Sequence, residues 1–206
     1  MWARFTGRGA YPPELAFLLK LPGRGLVLSP RRLVRALALA PAMRVLELGP
    51  GPGYFSPAVA ATLPRGQLVL ADLQAGMLRR ARRHLRRRTR RRRGPAGAWT
   101  GYVQTAGDRL ALRDASFDRA FLVAVLGEVP DPGGCVRELA RVLRPAGRLL
   151  VAELPGDPDA LVADAVRAMG AEAGLVERSH AALPGRGFLL VLERPPAELD
   201  DQAEFV

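Results

Sequence analysis

The stretch VLELGPGPGYF, residues 45–55, constrains the fold more than any other part of the sequence. It places Gly49, Gly51 and Gly53 directly after an apolar run typical of a buried strand and before a segment with helical spacing. Glycine is needed where a side chain would block a tight turn or the close approach of the backbone to a ligand. The pattern therefore predicts a strand, a binding loop and a helix in succession, although the loop alone also fits a turn with no ligand.

The rest of the chain alternates short apolar runs with helical patterns. Helical spacing follows the first, second, fourth and fifth runs, whereas only the turn-like LPGRG separates the last two. Apolar strands separated by helices predict an α/β protein with a mostly parallel sheet covered on both faces, and the last two strands predict an antiparallel hairpin at its edge. The predicted strands are residues 43–48, 67–73, 99–104, 117–126, 147–154, 175–183 and 187–194.

Two phosphate-binding motifs are disfavoured by the residues of the glycine loop. A P-loop needs a lysine and a serine or threonine after its last glycine, whereas Tyr54 and Phe55 follow in this chain. The dinucleotide fingerprint G-x-G-x-x-G is one residue longer, and Pro50 and Pro52 lack the N–H groups that would bind a pyrophosphate. A ligand without phosphates fits this loop better.

Three acidic residues lie near the ends of the first three predicted strands. Glu47 is in the first, Asp72 ends the second, and Asp108 follows the third. Because strand ends of an open α/β sheet converge on one crevice, we expect these carboxylates to meet around one nucleoside, with Asp72 on the ribose hydroxyls and Asp108 on an adenine amino group. Alternatively, Asp72 caps the helix beginning near Gln74, Asp108 forms a turn, and Glu47 is held by backbone N–H groups.

With these motifs in this order, the sequence resembles the class I S-adenosylmethionine-dependent methyltransferases, especially the small-molecule branch that includes quinone and sterol methyltransferases. The resemblance covers most of the chain. It implies a Rossmann-like, doubly wound α/β sheet of seven strands, mostly parallel with an antiparallel last strand, and an enzyme with S-adenosyl-L-methionine as cofactor. The motifs that carry it are VLELGPGPG, LADLQAGML, GDRLALRDASFDRAFLVAVLGEVPDP and ELARVLRPAGRLLVAE.

The resemblance also implies roles for individual residues. The first motif would hold the methionine part of the cofactor through its backbone, the end of the second strand would contact the ribose and the adenine ring, and the loop after the third strand would contact the adenine amino group. The cofactor-binding residues implied in this way are Glu47, Gly49, Gly51, Gly53, Asp72, Leu73, Asp108 and Arg109.

The loop after the fourth strand should face the transferred methyl group, and it offers Glu128 as the candidate that orients or deprotonates the acceptor. Glu128 would equally fit a solvent-facing or helix-capping position. The Asn/Asp-Pro-Pro-aromatic motif typical of adenine-methylating relatives is missing, which argues against adenine N6 methylation. The leading prediction is a methyltransferase that acts on a small or apolar molecule by direct methyl displacement. Cys135 lies on an apolar helix face and is expected in the core. One cysteine and two histidines give no basis for a metal site.

The run RRARRHLRRRTRRRR, residues 79–93, contains eleven arginines and no acid. The chain has 31 Lys+Arg and 20 Asp+Glu, so without the eleven arginines of the run the remaining 20 basic residues would balance the 20 acidic ones. We predict that the run continues the helix after the second strand, with Ala81 and Leu85 facing the sheet and the arginines forming a surface for non-specific polyanion binding. An alternative function is methylation of RNA or a ribonucleoprotein with the run as an electrostatic arm, and another is a non-catalytic cofactor-binding module.

The sequence divides into three parts. Residues 1–36 are expected to form an N-terminal helical segment packed on the core or closing over the acceptor, residues 37–195 the methyltransferase domain, and residues 196–206 an acidic tail that is a possible partner of the arginine run. No uncharged run approaches twenty residues, so no membrane span is expected. Together with the single cysteine, this predicts a cytoplasmic protein.

Overall fold

The computed structural model describes residues 27–91 and 98–196 of the 206-residue chain. Most of the predicted N-terminal segment, arginines 92 and 93, and all but residue 196 of the predicted acidic tail lie outside the described residues. In chain order the elements are α1 (Pro30–Leu37), β1 (Arg44–Leu48), α2 (Ser56–Ala60), β2 (Gln67–Asp72), α3 (Ala75–Arg91), β3 (Trp99–Gln104), β4 (Phe117–Val123), a 3-10 helix (Leu126–Glu128), α4 (Pro132–Val142), β5 (Leu143–Glu153), α5 (Ala163–Glu172), β6 (Val176–Ala182) and β7 (Phe188–Glu193).

The seven strands form one sheet in the order β3-β2-β1-β4-β5-β7-β6. Strands β1 to β5 pair in parallel, whereas β7 pairs antiparallel with both β5 and β6. The predicted doubly wound α/β fold with an antiparallel last strand is confirmed, and β6 is the outermost strand of the predicted edge hairpin. The chain runs outward from β1 to β3 and then returns to β4 on the other side of β1. This reversal of strand order creates a crevice at the carboxyl ends of β1 and β4, where ligands bind in open α/β sheets.

Helix α1 packs on the sheet through Leu33 and Leu37, which are buried. The Ser29 hydroxyl caps its start by accepting a hydrogen bond from Arg32 N at 3.2 Å, and Pro30 occupies the first turn, where its missing N–H has no cost. At the other end, Arg119 Nε donates to the Leu37 carbonyl at 3.0 Å. The boundary that we predicted after residue 36 therefore falls within a helix.

Helix α3 carries the arginine run, as predicted for the described part of the run. Ala81 is fully buried and Leu85 is 6% exposed, so both face the sheet. The glycine loop lies directly against this helix, because a Cβ built on Gly53 would be 3.0 Å from the Ala81 Cα atom. No described helix is long and apolar enough to cross a membrane.

No helix connects β3 to β4, and the connecting loop, residues 105–116, is instead held against α4. Arg141 donates hydrogen bonds to the carbonyls of Leu110 at 3.0 Å and Leu112 at 2.9 Å, and it also pairs with Asp114. Glu138 Oε2 accepts from Leu110 N at 2.7 Å and Glu138 also pairs with Arg141. The two side chains thus act as a clamp on the loop that contains Asp108.

Several element boundaries differ from the predictions, those of β4, β5 and α2 by more than one residue. Strand β4 ends at Val123, three residues early, because Ala124 adopts a φ of 53° and turns the chain into the 3-10 helix. Strand β5 begins at Leu143, which pairs with Phe117, four residues before the predicted start. Helix α2 covers only Ser56–Ala60 of a longer predicted segment. These differences do not change the strand order.

Candidate active site

A cavity of about 320 Å³ opens at the carboxyl ends of β1, β2 and β4. Its walls come from the glycine loop, the end of β2, the loop after β3, the first turns of α3, and the segment after β4. Gly53 and Arg109, which we also predicted as site residues, do not line it. The predicted site residues in its walls are Glu47, Gly49, Gly51, Asp72, Leu73, Asp108 and Glu128.

The glycine loop adopts left-handed backbone conformations, with φ of 65° at Gly49 and 52° at Gly51. Gly49 N donates to the Ala71 carbonyl at 2.8 Å, which fixes the loop to the end of β2. A Cβ on Gly49 would lie 2.5 Å from Cγ2 of Val125. Glycine is therefore required at position 49 by the close approach of the segment that follows β4.

Glu47 is 3% exposed and lies in the cavity wall. Burial raises the pKa of its carboxyl to about 8, with a further increase from the charge of Asp72 and an opposing effect of the nearby Ser56 hydroxyl. Glu47 Oε2 accepts no hydrogen bond from the described residues. A buried acceptor that lacks a donor in the wall of a cavity fits a cationic or hydrogen-bond-donating ligand group, such as an ammonium.

Asp72 is 8% exposed at the end of β2. Its Oδ1 accepts from Gln74 N at 2.8 Å, which forms a turn just before α3 and not the helix cap that we considered as an alternative, and the same side chain also lines the cavity. Burial raises its pKa, and the N–H groups of Gln74 and Gly51 oppose this shift. Leu73, which follows it, is 55% exposed and lies at the cavity wall.

Asp108 reaches the cavity from the loop after β3, and Thr105 shapes that loop. The Thr105 hydroxyl donates to the Arg109 carbonyl at 2.8 Å and accepts from Ala111 N at 3.2 Å. Asp108 therefore lies in a turn, as the alternative interpretation predicted, and this turn also places it at the cavity wall. Thr105 also lines the cavity and was missed, because its role depends on contacts within a loop that has no periodic pattern.

The segment after β4 supplies the other end of the cavity. Val123, Val125 and Val129 give it an apolar wall, and Glu128 adds one carboxyl group. A Cβ on Gly127 would overlap the carbonyl oxygen of Asp159, so the loop after β5 packs directly over the 3-10 helix.

Glu153, at the end of β5, is a buried carboxyl that the sequence analysis missed. It is 1% exposed, and neither of its oxygens accepts a hydrogen bond within the part of the chain that the structure describes. Burial raises its pKa to about 8, and the charges of Asp157 and Glu128 raise it further. In sequence it resembles any acidic residue at a strand end, since its burial results from the loop that follows β5.

Cys135 is fully buried, and burial raises the pKa of its thiol to about 12. Its predicted position in the core is confirmed, and a thiol of this pKa is a poor nucleophile at neutral pH. Within residues 27–91 and 98–196, no group of three or more His, Cys, Asp or Glu side chains could hold a metal ion.

The strand order, the antiparallel β7, the glycine loop after β1 and the acidic end of β2 together define the fold and site of a class I S-adenosylmethionine-dependent methyltransferase. The model of the family described as "Methyltransferase domain" matches residues 46–151. The chain therefore belongs to this methyltransferase family, which confirms the resemblance and its cofactor, S-adenosyl-L-methionine.

Among curated relatives, the ubiquinone/menaquinone biosynthesis C-methyltransferase of Syntrophotalea carbinolica is 34% identical over 134 residues, which are 65% of this chain and 53% of that protein. The corresponding protein of Shewanella frigidimarina is 34% identical over 60% of this chain and 47% of its own length. The chain thus spans about half the length of the curated relatives it matches.

The fold is similar to that of a S-adenosylmethionine-dependent methyltransferase from Aquifex aeolicus, with a TM-score of 0.78, 18% identity, and coverage of 90% of this chain and all of that one. At this identity the likeness concerns the fold alone, and the same fold carries other chemistry.

Proposed function

We propose that the chain transfers the methyl group of S-adenosylmethionine to a small, apolar acceptor. The observation that carries this proposal is that one cavity joins the glycine loop and the carboxyls of Glu47 and Asp72 to a wall of three valines at the end of β4 and in the segment that follows it. The names of the curated relatives, which are quinone-biosynthesis C-methyltransferases, support an acceptor of this kind.

The cofactor end of the cavity fits the parts of S-adenosylmethionine by charge and polarity. The buried Glu47 carboxyl suits the ammonium of the methionine part, and Asp72 suits the ribose hydroxyls. Leu73 would pack on the adenine ring, and Asp108 would accept from its amino group. When bound, S-adenosylmethionine supplies a methyl group on a positively charged sulfur, which is electrophilic. Gly53 and Arg109 would act indirectly, through the packing of the loops on which they lie.

The acceptor end of the cavity contributes alignment and exclusion of water. Apolar walls from Val123, Val125 and Val129 would hold an apolar ring or chain near the cofactor end and keep water away from it. Glu128 would orient the acceptor, or remove a proton from it where the acceptor must become more nucleophilic. Glu153 would stay protonated near neutral pH and limit the negative charge beside Glu128.

Methylation of RNA is the second candidate function, and one observation favours it. The exposed arginines of α3 would bind any polyanion, including RNA. The apolar acceptor wall favours a small molecule over a nucleotide. A non-catalytic cofactor-binding module is a third candidate, since its cavity would be the same. We propose the cytoplasm as the compartment, because the one cysteine fits a reducing environment.

The test is transfer of tritiated methyl groups from S-adenosylmethionine to fractionated cell extract. We expect label in the fraction extracted by organic solvent and little in RNA or protein. Asp72→Ala should abolish transfer, whereas Glu172→Ala, which removes an exposed carboxyl on α5 outside the cavity, should not affect it. Label confined to RNA would contradict the acceptor, and cofactor binding without any transfer would support the non-catalytic module.

A further inference from the structure

The exposed side of helix α3 carries five arginines at positions i, i+3, i+4, i+7 and i+8. All five are exposed, and the opposite side of the helix is buried through Met77, Ala81 and Leu85. This spacing gathers the arginines on one continuous helical face. We call it the arginine face, and it consists of Arg79, Arg82, Arg83, Arg86 and Arg87.

The arginine face has no neutralising partner among the described residues. None of its members forms a salt bridge there, and the first turn of α3 contains no acid. Like charges at i and i+4 destabilise a helix, so this arrangement costs stability in the absence of an external anion. Elsewhere in the described chain, six arginines do pair with carboxylates, namely Arg137, Arg141, Arg144, Arg148, Arg167 and Arg178.

The arginine face begins beside the cavity. Met77, in the first turns of α3, lines the cavity, and Arg79 follows two residues later on the outer side of the helix. Leu73, just before α3, is 55% exposed and also lines the cavity. An extended anionic surface that docks along α3 would therefore lie next to the rim of the cavity at Leu73.

The aromatic rings near α3 are not arranged for stacking on bases. Tyr102 lies beneath the helix, with the Arg82 guanidinium 5.9 Å from its ring centroid. Trp99 is 64% exposed, but it lies on the face of β3 opposite to Tyr102, with its ring over Gly101. Single-stranded nucleic acids are held by aromatic stacking as well as charge, whereas an anionic bilayer needs only a basic face.

We propose that the arginine face docks the protein on an anionic lipid bilayer, which would bring the cavity close to an apolar acceptor dissolved in that bilayer. The proposal rests on the proposed function for the identity of the acceptor, but the docking itself depends only on charge. Each basic residue near an anionic bilayer tightens binding by roughly fivefold, and this attraction is screened by salt.

The experiment is co-sedimentation with vesicles of phosphatidylcholine alone and of phosphatidylcholine mixed with phosphatidylglycerol, over a range of salt. The test variant replaces Arg79, Arg83, Arg86 and Arg87 with glutamine. The control variant has the same net charge and replaces four exposed arginines outside α3, namely Arg31, Arg65, Arg113 and Arg186.

We expect binding only to the anionic vesicles, a loss of at least about 100-fold in the test variant, and a much smaller loss in the control variant. Equal losses in both variants, or no binding of the unchanged protein at physiological salt, would overturn the proposal. Preferential binding to RNA, with RNA displacing the protein from vesicles, would also overturn it and make the face a nucleic-acid surface.

Two further measurements separate this proposal from the proposed function. Calorimetry with S-adenosylmethionine should give the same affinity for the test variant as for the unchanged protein, because the arginine face is outside the cavity wall. A protein that binds anionic vesicles but methylates only RNA would refute the proposed acceptor and leave the docking surface intact. Methylation of an apolar molecule without vesicle binding would refute the docking alone.

Discussion

Val125 packs so closely against Gly49 that a Cβ on the glycine would lie 2.5 Å from the valine Cγ2. We therefore expect Gly49→Ala to displace the glycine loop or the segment after β4 and to weaken S-adenosylmethionine binding by about 100-fold or more, measured by calorimetry. Val125→Ala in the same chain should restore part of the affinity, because it removes the methyl groups that clash.

The matched control for this substitution is Gly156→Ala. Gly156 also has a positive φ, 81°, but no atom of residues 27–91 or 98–196 lies within 4 Å of its Cβ position. The Gly156→Ala variant should lose about 1 kcal/mol of folding stability and bind the cofactor with unchanged affinity. If both alanine variants bound the cofactor equally well, the contact between Gly49 and Val125 would have no role in the site.

Cofactor binding should release a proton through Glu47. The pKa of this carboxyl is about 8 in the unliganded protein, so it is mostly protonated at pH 7. A bound ammonium favours the ionised form, so affinity should rise with pH up to about 8 and then level off. Calorimetry in buffers of different ionisation enthalpy measures the release, and Glu47→Gln should remove it. Identical proton release in both proteins would refute the role of Glu47.

Glu153 should make the fold less stable as pH rises. Its pKa is 4.5 in the unfolded chain and about 8 in the folded one, so between these values only the unfolded state is ionised. Stability is therefore full below pH 4.5 and decreases by up to ~1.4 kcal/mol per pH unit until about pH 8. Glu47 adds a similar slope for the same reason.

Urea unfolding at several pH values checks this prediction. Glu153→Gln should remove about half of the slope between pH 5 and pH 8. The control, Glu172→Gln, changes an exposed carboxyl and should leave the slope unaltered. The slope is the decisive quantity, because the amide introduced at position 153 changes the absolute stability as well.

Arg141 should be the most sensitive position of the clamp between α4 and the loop after β3. Its truncation to alanine removes the donors to the carbonyls of Leu110 and Leu112 and should cost about 2 kcal/mol in urea unfolding. It should also weaken cofactor binding several-fold, because Asp108 is in the clamped loop. The neighbouring Arg137 pairs with Asp131 at an exposed site, so Arg137→Ala should cost less than about 1 kcal/mol.

The strands, the glycine loop and most of the cavity residues were predictable because their signals are local. A buried strand followed by glycines and an acidic strand end can be recognised within about thirty residues, and parallel strands bring such ends together without further information. This is why Gly49, Asp72 and Asp108, which are far apart in sequence, line one cavity.

Contacts between distant segments were not predictable in the same way. Nothing near Gly53 in sequence indicates that Ala81 of α3 lies against it, so this glycine was assigned to the cofactor rather than to helix packing. Glu153 and Arg141 were missed for a related reason. Their surroundings are formed by the loop after β5 and the loop after β3, whose conformations depend on the tertiary contacts themselves.

The contact between Gly53 and Ala81 also limits how the arginine run can evolve. A drift toward arginine at the exposed positions of α3 meets no steric barrier, although the like charges that it adds cost helix stability. Position 81 cannot follow this drift, because any larger side chain would push the helix away from the glycine loop. In homologues whose runs differ in length and charge, we expect the small residue at this position to be retained while its arginine neighbours vary.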